Sequence, residues 1–306
     1  MTHQPVQLTE AQRSQFQTDG FLVLESFLAP EWVDRIASRF DPLFATQFET
    51  GVYPDEWHGR PGLSQPNATR QMSGLWRCDR TVASFSFSAE IARLNATLAG
   101  WNGGRFAIDS CWIKPPDAPA VSFHRNNTYA ACIAPSTMIT CWIALSDAIA
   151  TAGTLEVVPG SHQWHCEDQP RFLHALKDDY RQPLWQAAAA AGVAKPEIVA
   201  IELPPGGCVF VHGDLWHGSA GNTTTDRTRR SFAVSTFPAD AAFRPPGDAY
   251  GYIFSRYRRM GTSEMDESFF PVLWIPDGYR SPMVTAYCGD ALAVPAQSPP
   301  QVAIVS

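Results

Sequence analysis

Between Arg105 and Phe237 the chain breaks into short apolar or alternating runs closed by turn residues, and few architectures accept that rhythm. The runs are FAIDSCWIK (106–114), AVSFHRN (120–126), STMITCWIAL (136–145), TLEVV (154–158), EIVAIEL (197–203), GCVFVH (207–212) and RSFAVSTF (230–237). Pro115-Pro116, Gly153, Pro159-Gly160 and the stretch from Pro204 to Gly207 punctuate them. Several short strands at this spacing point to an antiparallel sandwich or barrel. One insertion, residues 170–192, ends in an Ala-rich helical stretch and reads as a surface excursion between two strands.

Ahead of this region the signals are helical. Thr9 caps a helix from Glu10 to about Thr18, with Gln12 placed for a capping box and Gly20 as the stop. Phe21–Leu24 reads as a short strand. Pro30 suits a first helical turn, and Trp32, Ile36, Phe40 and Phe44 then recur at helical spacing as a core face. Residues 49–80 read as a long irregular loop whose aromatics, Tyr53, Trp57 and Trp76, favour an ordered lid or wall. A further helix is expected from Ser88 to about Leu98. No repeat, linker or low-complexity tail interrupts the chain. The expectation is one domain over 1–306: a helical part at about 8–100, a β core at about 105–240 and an extension at about 241–306.

Composition narrows the partners. Lys+Arg is 23 against Asp+Glu 30, a net charge of −7 with no basic block, so nucleic acid is not expected. No apolar run reaches the roughly 18 residues of a membrane span. The opening MTHQPVQLTEAQ lacks the basic-then-apolar order of a secretory signal. The seven cysteines are odd in number and form no C-x-x-C pair, which favours buried thiols in a reducing cytoplasm. Monomer and homodimer both stay open.

Two of the eight histidines stand in telling surroundings. In Ser122-Phe-His124-Arg-Asn126, an extended chain would project positions 124 and 126 to one side. In VFVHGDLWHGS (209–219) an apolar strand runs into a polar turn ending at His217. An H-x-acid pair joined by a distant His around iron is the facial arrangement of non-haem Fe(II) oxygenases. Arg229-Arg-Ser231 opens the last run. An arginine facing into a barrel needs an anion, and a carboxylate gripped in bidentate fashion fits. Ser231 shares its phase, which favours Arg229 over Arg227 and Arg230. His162 and His212 read as loop-fixing residues. Asp214 reads as a turn former that could also support His217.

The chain resembles the phytanoyl-CoA dioxygenase family of Fe(II)/2-oxoglutarate-dependent oxygenases. The resemblance rests on FxxDGFLVLESFL (16–28), TCWIALSDAIATAGTLEVVPGSH (140–162), PPGGCVFVHGDLWHGSAGN (204–222) with the RRS that follows, and DESFFPVLWIPDGYRSP (266–282), in that order. It implies a mainly β fold with flanking helices: a double-stranded β-helix, or jelly roll, of cupin type. It further implies Fe(II) as cofactor, 2-oxoglutarate and O2 as cosubstrates, and a small-molecule substrate hydroxylated at a C–H bond. By position, His124 and His217 would be iron ligands and Arg229, helped by Ser231, would hold the far carboxylate of 2-oxoglutarate. Trp142 would line the cosubstrate site.

One departure matters. The family motif is H-x-D, and here Asn126 stands where the aspartate would ligate iron. An amide offers a neutral oxygen where a carboxylate offers a charged one. Loss of even an outer partner of a metal ligand costs about 10–100-fold in affinity or activity. Three readings follow: an aspartate replaced by engineering to hold an inactive complex, a natural variant or non-catalytic cupin-like binding protein, and an Fe/2-oxoglutarate halogenase. Related halogenases resemble H-x-G or H-x-A, whose small residue leaves room for chloride; asparagine nearly fills that space. The substrate is not legible, although Arg256-Tyr-Arg258-Arg259 could meet a phosphate or carboxylate.

Overall fold

The computed structural model describes residues 5–166, 172–174, 179–245 and 253–289. The N-terminal third holds α1 (Glu10–Asp19), β1 (Phe21–Leu24), α2 (Pro30–Phe44), β2 (Glu56–His58), β3 (Arg70–Ser73), α3 (Arg80–Ser86) and α4 (Ala89–Ala99). The middle holds β4 (Gly104–Lys114), β5 (Val121–His124), β6 (Ile133–Ala134), β7 (Ile139–Ala144), β8 (Leu155–Val157), α5 (Gln182–Ala190), β9 (Val199–Ala200), β10 (Cys208–His212), β11 (His217–Ser219) and β12 (Arg229–Pro238). The C-terminal part adds β13 (Ala242–Phe243), β14 (Val272–Trp274) and α6 (Pro282–Cys288).

Two antiparallel sheets dominate. The larger has eight strands in the order β1-β10-β7-β12-β4-β3-β2, with β14 also on β4. The smaller has four, in the order β5-β11-β8-β9. This is the expected mainly β jelly roll with flanking helices. The strand alternation explains the layering. In β7, Ile139, Cys141 and Ile143 join the core formed with α2 and α4, while Trp142 and Ala144 turn the other way. β10 behaves alike: Cys208 and Phe210 face the helices, Val209 and Val211 the interior.

The helices cover the outer face of the large sheet. The α1 cap forms as expected: Thr9 accepts from the Gln12 amide, the Gln12 side chain returns to Thr9, and Gly20 closes the helix at φ 80. Trp32, Ile36, Phe40 and Phe44 of α2 are buried, and Phe40 and Phe232 approach with ring centroids 6.2 Å apart. On the outer face of the small sheet, Leu184 and Ala187 of the Ala-rich α5 pack on Phe123, Val158 and Trp216. All seven cysteines are free, and six are buried.

Residues 49–80 depart from the expected irregular loop. Glu56–His58 pairs with Arg70–Ser73, which pairs with β4, so the segment extends the large sheet. Its edge position explains why sequence pattern missed it: short strands of mixed polarity carry little periodicity. Trp76 belongs to the core rather than to a wall, and Trp57 packs on it from the edge. α3 was also unforeseen. Asp79 caps it, accepting from the Val82 amide at 3.0 Å while pairing with Arg39.

Asp109 of β4 anchors this region. Its carboxylate, fully buried, accepts from the Leu75 amide at 2.8 Å, the Trp76 amide at 2.9 Å and the Ser86 hydroxyl at 2.6 Å. Asp109→Asn would turn an NH2 toward one of three donors. We expect a loss of about 1–3 kcal/mol of stability, read from the denaturation midpoint.

Candidate active site

The site forms where the two sheets face each other. His124 ends β5 and His217 begins β11, and the two are register partners across an antiparallel pair. Their neighbours point away: Phe123 and Trp216 enter the cluster under α5. The period of two therefore turns both imidazoles inward, with ring centroids 4.3 Å apart. His124 Nδ1 lies 2.9 Å from the Ser122 carbonyl and His217 Nδ1 2.8 Å from the Leu215 carbonyl. A carbonyl only accepts, so each Nδ1 carries the proton and each Nε2 the lone pair. This is how a ligating histidine is oriented. Burial lowers the His217 pKa to about 4, which keeps the ring neutral.

Asn126 is not on the strand. β5 stops at His124, Arg125 continues extended, and Asn126 opens a short 3-10 turn, Asn126–Ala130. Asn126 nevertheless lines the same cavity as both histidines. Its amide nitrogen donates to the Thr140 hydroxyl at 3.0 Å, and Thr140 and Ser235 hydroxyls are 2.7 Å apart. Thr140 Oγ1 therefore accepts from Asn126, and either hydroxyl of the Thr140–Ser235 pair can be the donor to the other. Among the described residues, no three His, Cys, Asp or Glu side chains gather as a metal cluster. The side chains here that could hold a metal are two imidazoles and one neutral amide.

Arg229 lies at the start of β12, 3% exposed, and lines the cavity. Its Nη1 donates to Ser231 Oγ at 2.6 Å, as their shared phase implies. The guanidinium carbon is 5.6 Å from the centre of the Trp142 ring. Burial lowers its pKa to about 10. Arg229 has no carboxylate partner among the described residues, and its Nε has no hydrogen-bond partner. Beside it, in register, stands Lys114, fully buried, with its ammonium donating to the Ser219 carbonyl at 3.4 Å and to the Ala220 carbonyl. Burial first, then the Arg229 charge, holds the Lys114 pKa well below its usual value. The Arg229 guanidinium, buried on the cavity wall, makes this end of the cavity attractive to an anion.

The other candidates fall elsewhere. Arg227 pairs with Asp147 at 3.3 Å and Arg230 with Asp41 at 3.1 Å, both on the surface. His162 Nε2 meets the Gln17 carbonyl at 3.1 Å, and His212 Nδ1 accepts from the Asp214 amide at 3.1 Å. Asp214 does not support His217: its carboxylate accepts from the Asn127 amide at 2.7 Å. Within the basic cluster, Arg256 is engaged by Asp55 and Arg259 by Asp266. Glu56 and Gln71 also line the cavity. Sequence reasoning missed both, since neither stands in a motif and each reaches the site through pairing at the sheet edge.

With this geometry in place, comparison with known proteins is decisive for the family. Residues 16–231 match the family described as Phytanoyl-CoA dioxygenase (PhyH). The chain belongs to this family. Its members are dioxygenases that use Fe(II), 2-oxoglutarate and O2. The matched segment ends at Ser231, before the 266–282 stretch. Among curated relatives, the Multifunctional dioxygenase prhA of Penicillium brasilianum is 26% identical over 236 residues, covering 72% of this chain and 69% of the relative. The Phytanoyl-CoA dioxygenase of Arabidopsis thaliana is 24% identical over 272 residues, covering 76% and 90%. Among solved structures, the epimerase SnoN from nogalamycin biosynthesis, in complex with Fe3+, alpha ketoglutarate and nogalamycin RO, superposes with a TM-score of 0.65. Its sequence is 20% identical, and the match covers 87% of this chain and 98% of that one. EctD from S. alaskensis with 2-oxoglutarate and 5-hydroxyectoine gives 0.65 at 18% identity, covering 85% and 87%. Both share the fold. No described helix is long and apolar enough to cross a membrane.

Asn127 clamps the turn that delivers His217. Its Oδ1 accepts from the Met138 amide at 2.9 Å, and its backbone amide donates to the Gly213 carbonyl at 2.9 Å. A Cβ on Gly213 would lie 2.0 Å from Asn127 Oδ1, so only glycine admits this approach. Asn127→Ala is expected to cost about 1–3 kcal/mol by stranding a buried donor. Gly213→Ala displaces the same amide, so the double variant should lose clearly less than the sum of the two. Chemical denaturation of the three variants checks this.

Proposed function

We propose that this chain is an Fe(II)/2-oxoglutarate-dependent dioxygenase that hydroxylates a C–H bond of a small molecule, with an iron site weakened by Asn126. The observation that carries the reading is a single cavity holding two oriented imidazoles and a buried arginine that lacks a carboxylate partner. His124 Nε2 and His217 Nε2 would hold the metal, with the Asn126 carbonyl oxygen as the third protein donor. Arg229 and Ser231 would hold the far carboxylate of 2-oxoglutarate against Trp142. When bound, the metal and cosubstrate supply O2-dependent oxidation. The protein's share is to orient them and to keep the cavity dry through walls such as Ile108, Met138 and Val211.

The donor chemistry fits this pair. The anion site would have an arginine, a hydroxyl and an aromatic wall, and the metal site would have three donors in one cavity but be one charge short. Asn126 therefore also favours a second reading: a cupin-like protein that binds the same small molecules without turnover. Retention of Arg229, Ser231 and Trp142 in one cavity favours the enzyme, because a site relieved of chemistry has no need of a cosubstrate grip.

Anaerobic titration of Fe(II) and 2-oxoglutarate, followed by the visible charge-transfer band of the chelate, tests the assignment. Asn126→Asp should tighten iron by about 10–100-fold. A band in neither protein would sink the iron site. O2 consumption coupled to succinate release then separates enzyme from binding protein. In the same titration, Arg229→Gln should weaken 2-oxoglutarate by about 2–5 kcal/mol while leaving Fe(II) affinity within a few-fold.

A further inference from the structure

Asn126 enters the cavity from a weakly specified place. β5 ends at His124 and Asn126 opens the turn that follows, so no strand pairing fixes its side chain. It is held instead by the hydrogen bond from Nδ2 to Thr140 Oγ1, at 3.0 Å. Thr140 is fixed where Asn126 is not. It sits inside the large sheet, on β7, with Val211 of β10 and Ser235 of β12 as its register partners. Thr140 and Ser235 are both buried, their hydroxyls are 2.7 Å apart, and both line the cavity that holds Asn126, His124 and His217.

The two ends of a primary amide are chemically different: Nδ2 only donates and Oδ1 only accepts. An amide bound to Thr140 through Nδ2 turns Oδ1 away from Thr140. Thr140 can take the acceptor role because Ser235 Oγ lies where the Thr140 proton can go. The bond also changes the amide itself. Hydrogen bonds in a chain polarise one another, so an acceptor on the N–H end raises the negative charge on the carbonyl end. Imidazole suits iron as it stands. The amide oxygen brings no charge to offset Fe(II), so among the three side chains it gains most from such polarisation.

We propose that Thr140, backed by Ser235, is a positioning residue for the metal site. It holds the Asn126 amide by its NH2, leaves Oδ1 for the metal and raises the negative charge on that oxygen, offsetting part of the missing carboxylate charge. This rests on the reading that His124, Asn126 and His217 hold the metal. A carboxylate at position 126 would need no such help. Its two oxygens are equivalent, so neither has to be selected, and a Thr140 hydroxyl donating to one of them draws charge away from the metal. The contribution of Thr140 is therefore specific to asparagine.

Titration with Co(II), followed by its visible d–d absorption, tests the proposal, because Co(II) binds a given nitrogen and oxygen site more tightly than Fe(II). Thr140→Val and Thr140→Ser are compared in the parent and beside Asn126→Asp. In the parent, Thr140→Val should weaken Co(II) about tenfold, and Thr140→Ser, which keeps the hydroxyl, should stay within about threefold of the parent. Thr140→Ala, which cannot overpack the sheet, should repeat the valine result. Beside Asn126→Asp, Thr140→Val should cost no more than about threefold. Equal losses in the two backgrounds would mark a purely structural role and overturn the proposal. So would no loss in the parent, a serine variant as weak as the valine one, or Co(II) binding confined to Asn126→Asp. Absence of Co(II) binding from both the parent and Asn126→Asp would instead strike the metal-site reading, and this inference would fall with it.

Discussion

The alternation along β12 ties the core to the site. This strand lies between β4 and β7, and its two faces do different work. Phe232 and Val234 enter the core beneath the helices, while Arg229, Ala233 and Ser235 line the cavity. Because the side-chain period is two, a slip of one residue would turn the guanidinium to the outer face, where Arg230 now meets Asp41, and a phenyl ring into the cavity. The apolar residues therefore fix the register that places the arginine. Large aromatic contacts such as Phe85 to Phe232, at 5.7 Å, hold a charge in a place it would not occupy by itself.

The second sheet repeats the device on a smaller scale. β5 and β11 are four and three residues long. Their hydrogen bonds alone could not specify a pairing, and the burial of Phe123 and Trp216 beneath α5 does so instead. The two imidazoles face each other because the two rings behind them are buried. Asn127 and the Gly213 turn then set where the chain re-enters the sheet.

This division explains what was legible in the sequence. Elements with a strong period or a cap were readable: α1 through Thr9 and Gln12, α2 through its aromatic stripe, β7, β10 and β12 through alternation. The Arg229–Ser231 pairing followed from phase alone. β11 was hidden because three residues, one of them Gly218, carry no pattern. His124 and Asn126 share one cavity because Arg125 stays extended between them, although the strand itself ends at His124. Glu56 was illegible for a different reason. Its place on the cavity wall depends on pairing with Ser73, and Ser73 on pairing with Ser110, a relation between segments that no local window contains.

The neighbourhood of Asn126 bears on how the site tolerates an amide. A hydroxyl both donates and accepts, so the Thr140–Ser235 pair has two possible orientations. With an amide nitrogen facing it, Thr140 accepts on that side and its own proton can go to Ser235. With a carboxylate in the same position, Thr140 would donate to it and accept from Ser235, with no heavy atom displaced. The two side chains are near-isosteric, and neither leaves the Thr140 hydroxyl without a partner. Exchange between asparagine and aspartate at this position should thus cost the fold little. On the proposed function, the difference is concentrated in one unit of charge on the oxygen that would meet the metal, where affinity for Fe(II) would be most sensitive.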